Sequence, residues 1–288
     1  MPLPIVPLGN EFRPPTSIVY PPFKNGKYME EYFYEFALTH QATIHTEYVY
    51  IPVWWTNLLA TDIADLQVKL LEACAEYPVD TRFFTIVQAD LGTGFVLPPN
   101  TLVFGACTGD IPLPLLYEDK NKTLLRTPRL PIKKYVASFV GTYNTHPLRM
   151  EMFQTLGRKP KIQCAAKGVW TNQVSQHDAT TFVQTTLQSK FCLAPRGFGR
   201  SSFRFFEAML LDTIPVYFWD DVEWLPYKEI LDYSKFALSI PKHRIQEAYQ
   251  MMTSVPSSTY ANMVEELKRV RHYFTLEGMC EYIIQKIT

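Results

Sequence analysis

Apolar residues recur at the i, i+3, i+4, i+7, i+8 spacing of a one-sided helix at Met29, Tyr32, Phe33, Phe36 and Ala37, which predicts a core-facing helix. The β-branched and aromatic run Tyr48 to Val53 predicts a strand, with Pro52 marking its end. Ile63, Leu66, Leu70 and Cys74 share one face of a second helix, capped by Thr61 or Asp62. Arg82 to Val87 and Thr101 to Ala106 predict two further strands. From Gly109 to Arg129 the pattern is irregular and broken by Pro112, Pro114 and Pro128, and loops of that length are uncommon and often functional. A domain boundary is expected at its end, near residue 131.

Beyond it, strands are predicted at Lys134 to Val140, Lys161 to Ala165, Phe191 to Ala194 and Thr213 to Phe218. Asp178 is placed to cap a helix running through Leu187, and Phe203, Phe206, Ala208 and Leu210 carry a helical pattern. Lys242 to Met252 and Tyr260 to Tyr273 are amphipathic, with Met263, Leu267, Val270 and Phe274 on one face. Strands alternating with helices predict an α/β fold on parallel sheets. The first 27 residues, rich in proline and ending at an Asn25-Gly26 turn, predict an extended arm on the surface.

Composition narrows the class. The 288 residues suit two domains of moderate size, and 47% hydrophobic against 19% charged residues is globular. A formal net charge of zero excludes a general nucleic-acid binder, which needs a basic surplus; the run Lys268, Arg269, Arg271, His272 reads as a solvated helix face. The five cysteines are widely spread, odd in number and mostly set in apolar runs, so they read as reduced, buried thiols without a zinc-site spacing. No apolar stretch approaches the ~20 residues a membrane span requires. The N-terminal MPLPIVPLGN lacks the layout of a signal peptide, so the chain reads as cytoplasmic or otherwise soluble, and the Asn121-Lys122-Thr123 sequon as idle.

Chemistry concentrates between Ser189 and Pro241. A short apolar run, then Pro195, Gly197 and Gly199, then Ser201 and Ser202 ahead of a helical pattern, gives strand, glycine-containing loop, helix, strand. A helix start leaves backbone N–H groups unpaired and carries partial positive charge, so anions settle there. Arg196, Arg200 and Arg204 add guanidinium forks suited to phosphate oxygens, and Glu207 lies one turn in, within reach of a ligand's hydroxyls. A phosphate carrying a sugar or nucleoside fits this better than a simple carboxylate. The plain alternative is an ordinary strand-loop-helix unit with solvated arginines. A P-loop NTPase is excluded, because no Gly-Lys-Ser/Thr follows the loop.

Pro195-x-Gly197, Ser201-Ser202-x-Arg204-x-x-Glu207, Ile214-Pro215-Val216 and Leu225-Pro226-Tyr227 together resemble the C-terminal signature of the exostosin-like glycosyltransferases, family 47. The lead-in Ser189-x-Phe191-Cys192-Leu193-x-Pro195 and the trailing Ile230-Leu231-Asp232-Tyr233-Ser234-x-Phe236 are similar too, so the likeness covers roughly fifty residues and is far more specific than an isolated motif. Phe139-Val140-Gly141 and Arg149 match the family's Phe-x-Gly turn and helix-opening arginine, while His146 reads as a helix-start residue. Tyr50-Ile51-Pro52-Val53-Trp54 resembles its strand ending in Val-Pro-aromatic; Trp54 and Trp55 there suit either sugar stacking or the core. The chain departs from the pattern at Asp212-Thr213, usually Gly-Cys, at Ala89, usually His, and near Pro241 and Lys242, where an acid often follows the last strand.

What the resemblance implies is a GT-B fold, two Rossmann-like α/β domains facing across a cleft, with acceptor binding in residues 1–130 and donor binding in 131–288. The implied activity is inverting transfer of a sugar from a UDP-sugar, with a lean to UDP-xylose, onto a hydroxyl of a glycan or glycoside acceptor. Gly141, Arg149, Arg196, Gly197, Ser201, Ser202, Arg204 and Glu207 are the expected donor-binding residues. Asp90, at the end of a strand and before Gly92, is the candidate base, with turn capping as its equal alternative. No metal or cofactor is expected, and the acids of Asp220-Asp221-Val222-Glu223 read as a strand-end turn. The departures at Ala89 and Asp212-Thr213 keep a second reading open: a catalytically silent partner that binds sugar nucleotide or glycan for another transferase.

Overall fold

The computed structural model describes residues 2–15, 26–58, 64–171 and 174–288. Asn25, Thr61, Asp62 and Ile63, which carry the expected turn and helix cap, lie outside them. Two compact units emerge. The first takes the described residues through Glu118 together with Thr275–Thr288; the second takes Asp119–Phe274. The division therefore falls earlier than residue 131, and the last helix returns to the first unit.

In the first unit, α1 (Met29–His40), β1 (Tyr48–Tyr50), α2 (Trp55–Leu58), α3 (Ala64–Ala75), β2 (Arg82–Val87), β3 (Thr101–Gly105) and β4 (Ile111–Pro112) follow in order. The sheet runs β1-β2-β3-β4, all parallel. Residues 2–15 of the proline-rich N-terminal segment are not a surface arm. Val6 N donates to Tyr50 O and Tyr50 N to Pro4 O, each at 2.9 Å, and Leu3, Val6, Leu8 and Phe12 are buried. An edge segment pairs on one side only, so prolines whose missing N–H faces away are tolerated there. Trp55 belongs to the core: it is fully buried, its Nε1 donates to Thr85 Oγ1 at 2.9 Å, and its ring meets Phe95 edge-on.

Helix α1 differs from a plain apolar face, because Glu30 and Glu31 are buried with Met29, Phe33 and Ala37. Glu30 accepts from Thr56 N at 2.9 Å, Thr56 Oγ1 at 3.0 Å and Gln88 N at 2.8 Å, so one carboxyl ties the segments that follow β1 and β2. Burial pushes its pKa up to about 7 against those three donors.

The second unit holds α4 (Thr123–Arg126), β5 (Tyr135–Thr142), α5 (Pro147–Leu156), β6 (Ile162–Lys167), α6 (Gln176–Leu187), β7 (Ser189–Pro195), α7 (Phe203–Leu210), β8 (Ile214–Trp219), β9 (Leu238–Pro241), α8 (Ala248–Thr253) and α9 (Ser257–Val270); α10 (Leu276–Ile287) closes the chain in the first unit. Its sheet runs β6-β5-β7-β8-β9, all parallel. The chain goes outward from β5 to β6 and then back past it to β7, so the strand order reverses between β5 and β7. In open α/β sheets ligands gather at the carboxyl ends of strands at such a reversal. Ser175, not Asp178, caps α6, its hydroxyl accepting from Asp178 N.

One departure from the family pattern is absorbed by packing. Asp212 follows α7 with φ +53°, a left-handed conformation that glycine adopts most easily and aspartate tolerates. Its carboxylate accepts from Arg129 Nε at 2.9 Å and Arg271 Nη1 at 2.6 Å, and Thr213 beside it is fully buried with its hydroxyl on Thr186 O. Both units are Rossmann-like α/β layers on parallel sheets, the make-up expected of a GT-B chain. Among the described residues no helix is long and apolar enough to cross a membrane.

Candidate functional site

At the end of β5 the chain turns through Tyr143 to Thr145 and enters α5 at His146. His146 is the N-cap, its Nδ1 accepting from Leu148 N at 3.2 Å, and Pro147 occupies the first helical position where its missing N–H costs nothing. Accepting through Nδ1 leaves the proton of the neutral ring on Nε2, which lies 3.6 Å from Asp220 Oδ2. Burial and then Arg196 lower the His146 pKa, against the pull of Asp220. Its reading as a helix-start residue holds.

Arg149 lies in the first turn of α5 and spends its guanidinium on main-chain carbonyls. Nε donates to Arg196 O at 2.8 Å, Nη1 to Thr142 O at 3.0 Å and Nη2 to Pro195 O at 3.2 Å. It thereby clamps the ends of β5 and β7, the two strands between which the order reverses. Gly197 lies against it: a Cβ there would come 3.1 Å from Arg149 Nη2 and 3.9 Å from Thr145 Oγ1. Gly141 is tight for a different reason, since a Cβ would press on the Phe139 ring at 3.1 Å.

Helix α7 starts beside this clamp. Gly197 N donates to Ser201 O at 3.3 Å, closing the loop, and Ser202 is the N-cap. Serine at this position ordinarily caps with its side chain. Here Ser202 Oγ makes no cap bond and is buried without a partner among the described residues, and so is Thr145 Oγ1. Ser202 is 3% exposed and Thr145 6%. Buried hydroxyls are nearly always bonded, so these two, one at the α7 start and one beside Gly197, keep hydrogen-bonding capacity for an oxygen from outside the chain.

The other expected donor residues separate into two groups. Arg196 sends Nη1 to Asp220 Oδ1 at 2.8 Å and Asp221 Oδ1 at 2.7 Å, and Arg200 sends Nε to Asp221 Oδ2 at 2.8 Å. Burial opposes the Asp221 charge, yet the Arg200 bond, the Val222 amide and Arg196 outweigh it and hold the carboxyl at about 2. Arg204 instead turns towards β5 and α6: its Nε donates to Val140 O at 2.7 Å, its Nη1 pairs with Glu207, and its guanidinium lies 4.2 Å from the Phe182 ring centroid. Glu207 is 3% exposed. Asp90 lies in the first unit, exposed just beyond β2, with Cys107 Sγ at 3.5 Å from Oδ1.

The second unit thus brings together Arg149, Arg196, Gly197 and Ser202, with Arg204 and Glu207 as a paired group beside Val140. Sequence reasoning missed Thr145 and the ion pairs of Asp220 and Asp221. Thr145 had one signal, a hydroxyl residue in the turn between Gly141 and Arg149; the aspartates meet their partners only when β7 and β8 pair. Among the described residues no three His, Cys, Asp or Glu side chains gather as a metal site.

The model of the Exostosin GT47 domain matches residues 107–255, more than half of the chain. A probable arabinosyltransferase of Arabidopsis thaliana is 32% identical over 93 residues, 31% of this chain and 21% of that protein. A probable xyloglucan galactosyltransferase of the same plant is 30% identical over 107 residues, 34% of this chain and 24% of its own. A probable β-1,4-xylosyltransferase, also from Arabidopsis thaliana, is 27% identical over 117 residues, 37% of this chain and 28% of its own. The likeness therefore spans 21–28% of the length of these relatives.

Proposed function

The chain belongs to the exostosin GT47 family, and on that premise we propose that it transfers a sugar from a UDP-sugar to a hydroxyl of a glycan acceptor. The observation that carries this is two buried hydroxyls without a partner among the described residues, Ser202 Oγ at the start of α7 and Thr145 Oγ1 beside Gly197 and ahead of α5. A diphosphate supplies the acceptor oxygens those hydroxyls lack, and the helix start and guanidinium groups supply positive charge.

In the proposed reaction the acceptor hydroxyl attacks the anomeric carbon from the face opposite UDP, so the product is inverted. The C–O bond to UDP breaks, and the growing charge on the leaving phosphate is met by Arg196, the α7 start and the two hydroxyls rather than by a metal. Asp90 takes the hydroxyl proton in this scheme. Glu207, with Arg204, is assigned to the donor's ribose or sugar hydroxyls. The relatives are named for arabinose, galactose and xylose transfer, so their likeness supports the reaction class and leaves the sugar open. We put UDP-xylose first.

Titration of the protein with UDP, followed by the same titration on Asp90→Asn, tests the scheme. The wild type should bind UDP, and the variant should keep that binding while losing transfer. An Asp90→Asn protein with full transfer activity removes Asp90 as the base. A protein that binds UDP but releases none from any UDP-sugar and acceptor is a silent binding partner instead.

A further inference from the structure

Positive charge around the start of α7 is partly offset within the chain. Asp221 holds two arginines at once, taking Arg196 Nη1 on Oδ1 at 2.7 Å and Arg200 Nε on Oδ2 at 2.8 Å. Its neighbour Asp220 is built into the frame: it takes Arg196 Nη1 and the Asp221 amide on Oδ1, faces His146 through Oδ2, and is 24% exposed. Asp221 is 43% exposed and, besides the two guanidinium groups, its side chain accepts only from Val222 N.

We propose that Asp221 is an internal competitor for the anionic ligand, its carboxylate lying on guanidinium edges of Arg196 and Arg200 that a phosphate uses. The inference rests on the reading that a diphosphate binds at this helix start. The opposite role, holding the arginines in place for the ligand, is the one to be distinguished, and the frame argues against it. Arg196 is 11% exposed and is fixed independently by Nη2 on Phe198 O at 3.3 Å, by its amide on Phe218 O and by its carbonyl on Arg149 Nε. Arg200 is fixed by its carbonyl, which accepts from Tyr217 OH, and by the Trp224 ring 5.6 Å from its guanidinium. Both arginines are therefore expected to keep their places when the Asp221 charge is gone.

Arg149, Arg196 and Arg200 carry three positive charges against the two of Asp220 and Asp221, a surplus of one. Neutralising Asp221 doubles that surplus. A charge a few ångströms from a dianion at a half-exposed site then changes affinity by about tenfold.

The test is calorimetric titration of wild type, Asp221→Asn and Asp221→Ser with inorganic pyrophosphate and, separately, with UDP, at low and at moderate salt. Both variants should bind pyrophosphate about tenfold more tightly than wild type, with the gain shrinking as salt screens it. Equal or weaker pyrophosphate binding by the two folded variants overturns the proposal, and so does the absence of pyrophosphate binding in all three proteins. Tighter pyrophosphate binding by the variants, with UDP bound by none, leaves the competitor standing and sinks the UDP-sugar reading.

Discussion

Arg149 holds the main-chain carbonyl of Arg196: Nε donates to it at 2.8 Å while the two Nη atoms take Thr142 O and Pro195 O. One side chain in the first turn of α5 thus fixes the ends of the two strands between which the sheet order reverses. The resemblance places Arg149 among the donor-binding residues. The structure gives it this framing duty, and a framing duty has its own signature.

Arg149→Ala leaves three carbonyls without their charged donor and should cost about 3 kcal/mol of stability in urea unfolding. Arg149→Lys keeps the charge but loses the fork, and should recover less than half of that loss. A lysine variant as stable as wild type would show that charge alone matters at this position.

Thr145→Val and Ser202→Ala each remove a buried hydroxyl that has no partner among the described residues. Deleting such a group should leave stability unchanged or raise it by up to about 1 kcal/mol, because an unmet desolvation penalty disappears. The same changes should weaken UDP binding by about tenfold, the worth of one good hydrogen bond. Opposite signs in melting and in titration are the expected mark of hydroxyls kept for a ligand; parallel losses would mark them as structural.

Arg204→Ala strips the counter-ion from Glu207, which is 3% exposed, and should destabilise the protein by about 3–5 kcal/mol. The double change Arg204→Met, Glu207→Leu should restore most of that, since an apolar pair of similar volume removes the unpaired charge. Failure of the double variant to recover would mean that the bond from Arg204 Nε to Val140 O carries the larger share.

Several elements were legible because their signals are local. Arg82 to Val87 was read to the residue, and His146 as a helix start, since strand composition and a following proline are sequence features. The N-terminal segment was misread because prolines hide that it pairs with Tyr50. Carboxylates at Glu30 and Glu31 look solvated on any helix, and it is Thr56 and Gln88 for the first and Tyr28 and Asn57 for the second that let them lie in the core. The same limit hid the site's charge balance: Arg196 and Asp221 are bonded through the pairing of β7 with β8, not through anything near them in the chain.

Acid should act on the site through His146. Its folded pKa is lowered by burial and by Arg196, so the unfolded chain binds the proton more readily. The stability this group contributes is present above its unfolded pKa of about 6.5 and is lost as pH falls through that value towards the lowered one. Between pH 7.5 and 5 the raised Glu30 acts in the opposite sense in both proteins, so the urea midpoint of wild type should fall relative to that of His146→Asn, which can still cap α5. Identical slopes would place the titrating group elsewhere.

Release of UDP from a panel of UDP-sugars, with and without candidate glycan acceptors, tests the central claim most directly. Release from at least one member, faster with an acceptor and reduced at least about 10²-fold in Arg196→Ala as expected for a transition-state charge partner, is the predicted result. A folded wild type that neither binds UDP nor releases it from any member of the panel would contradict the account.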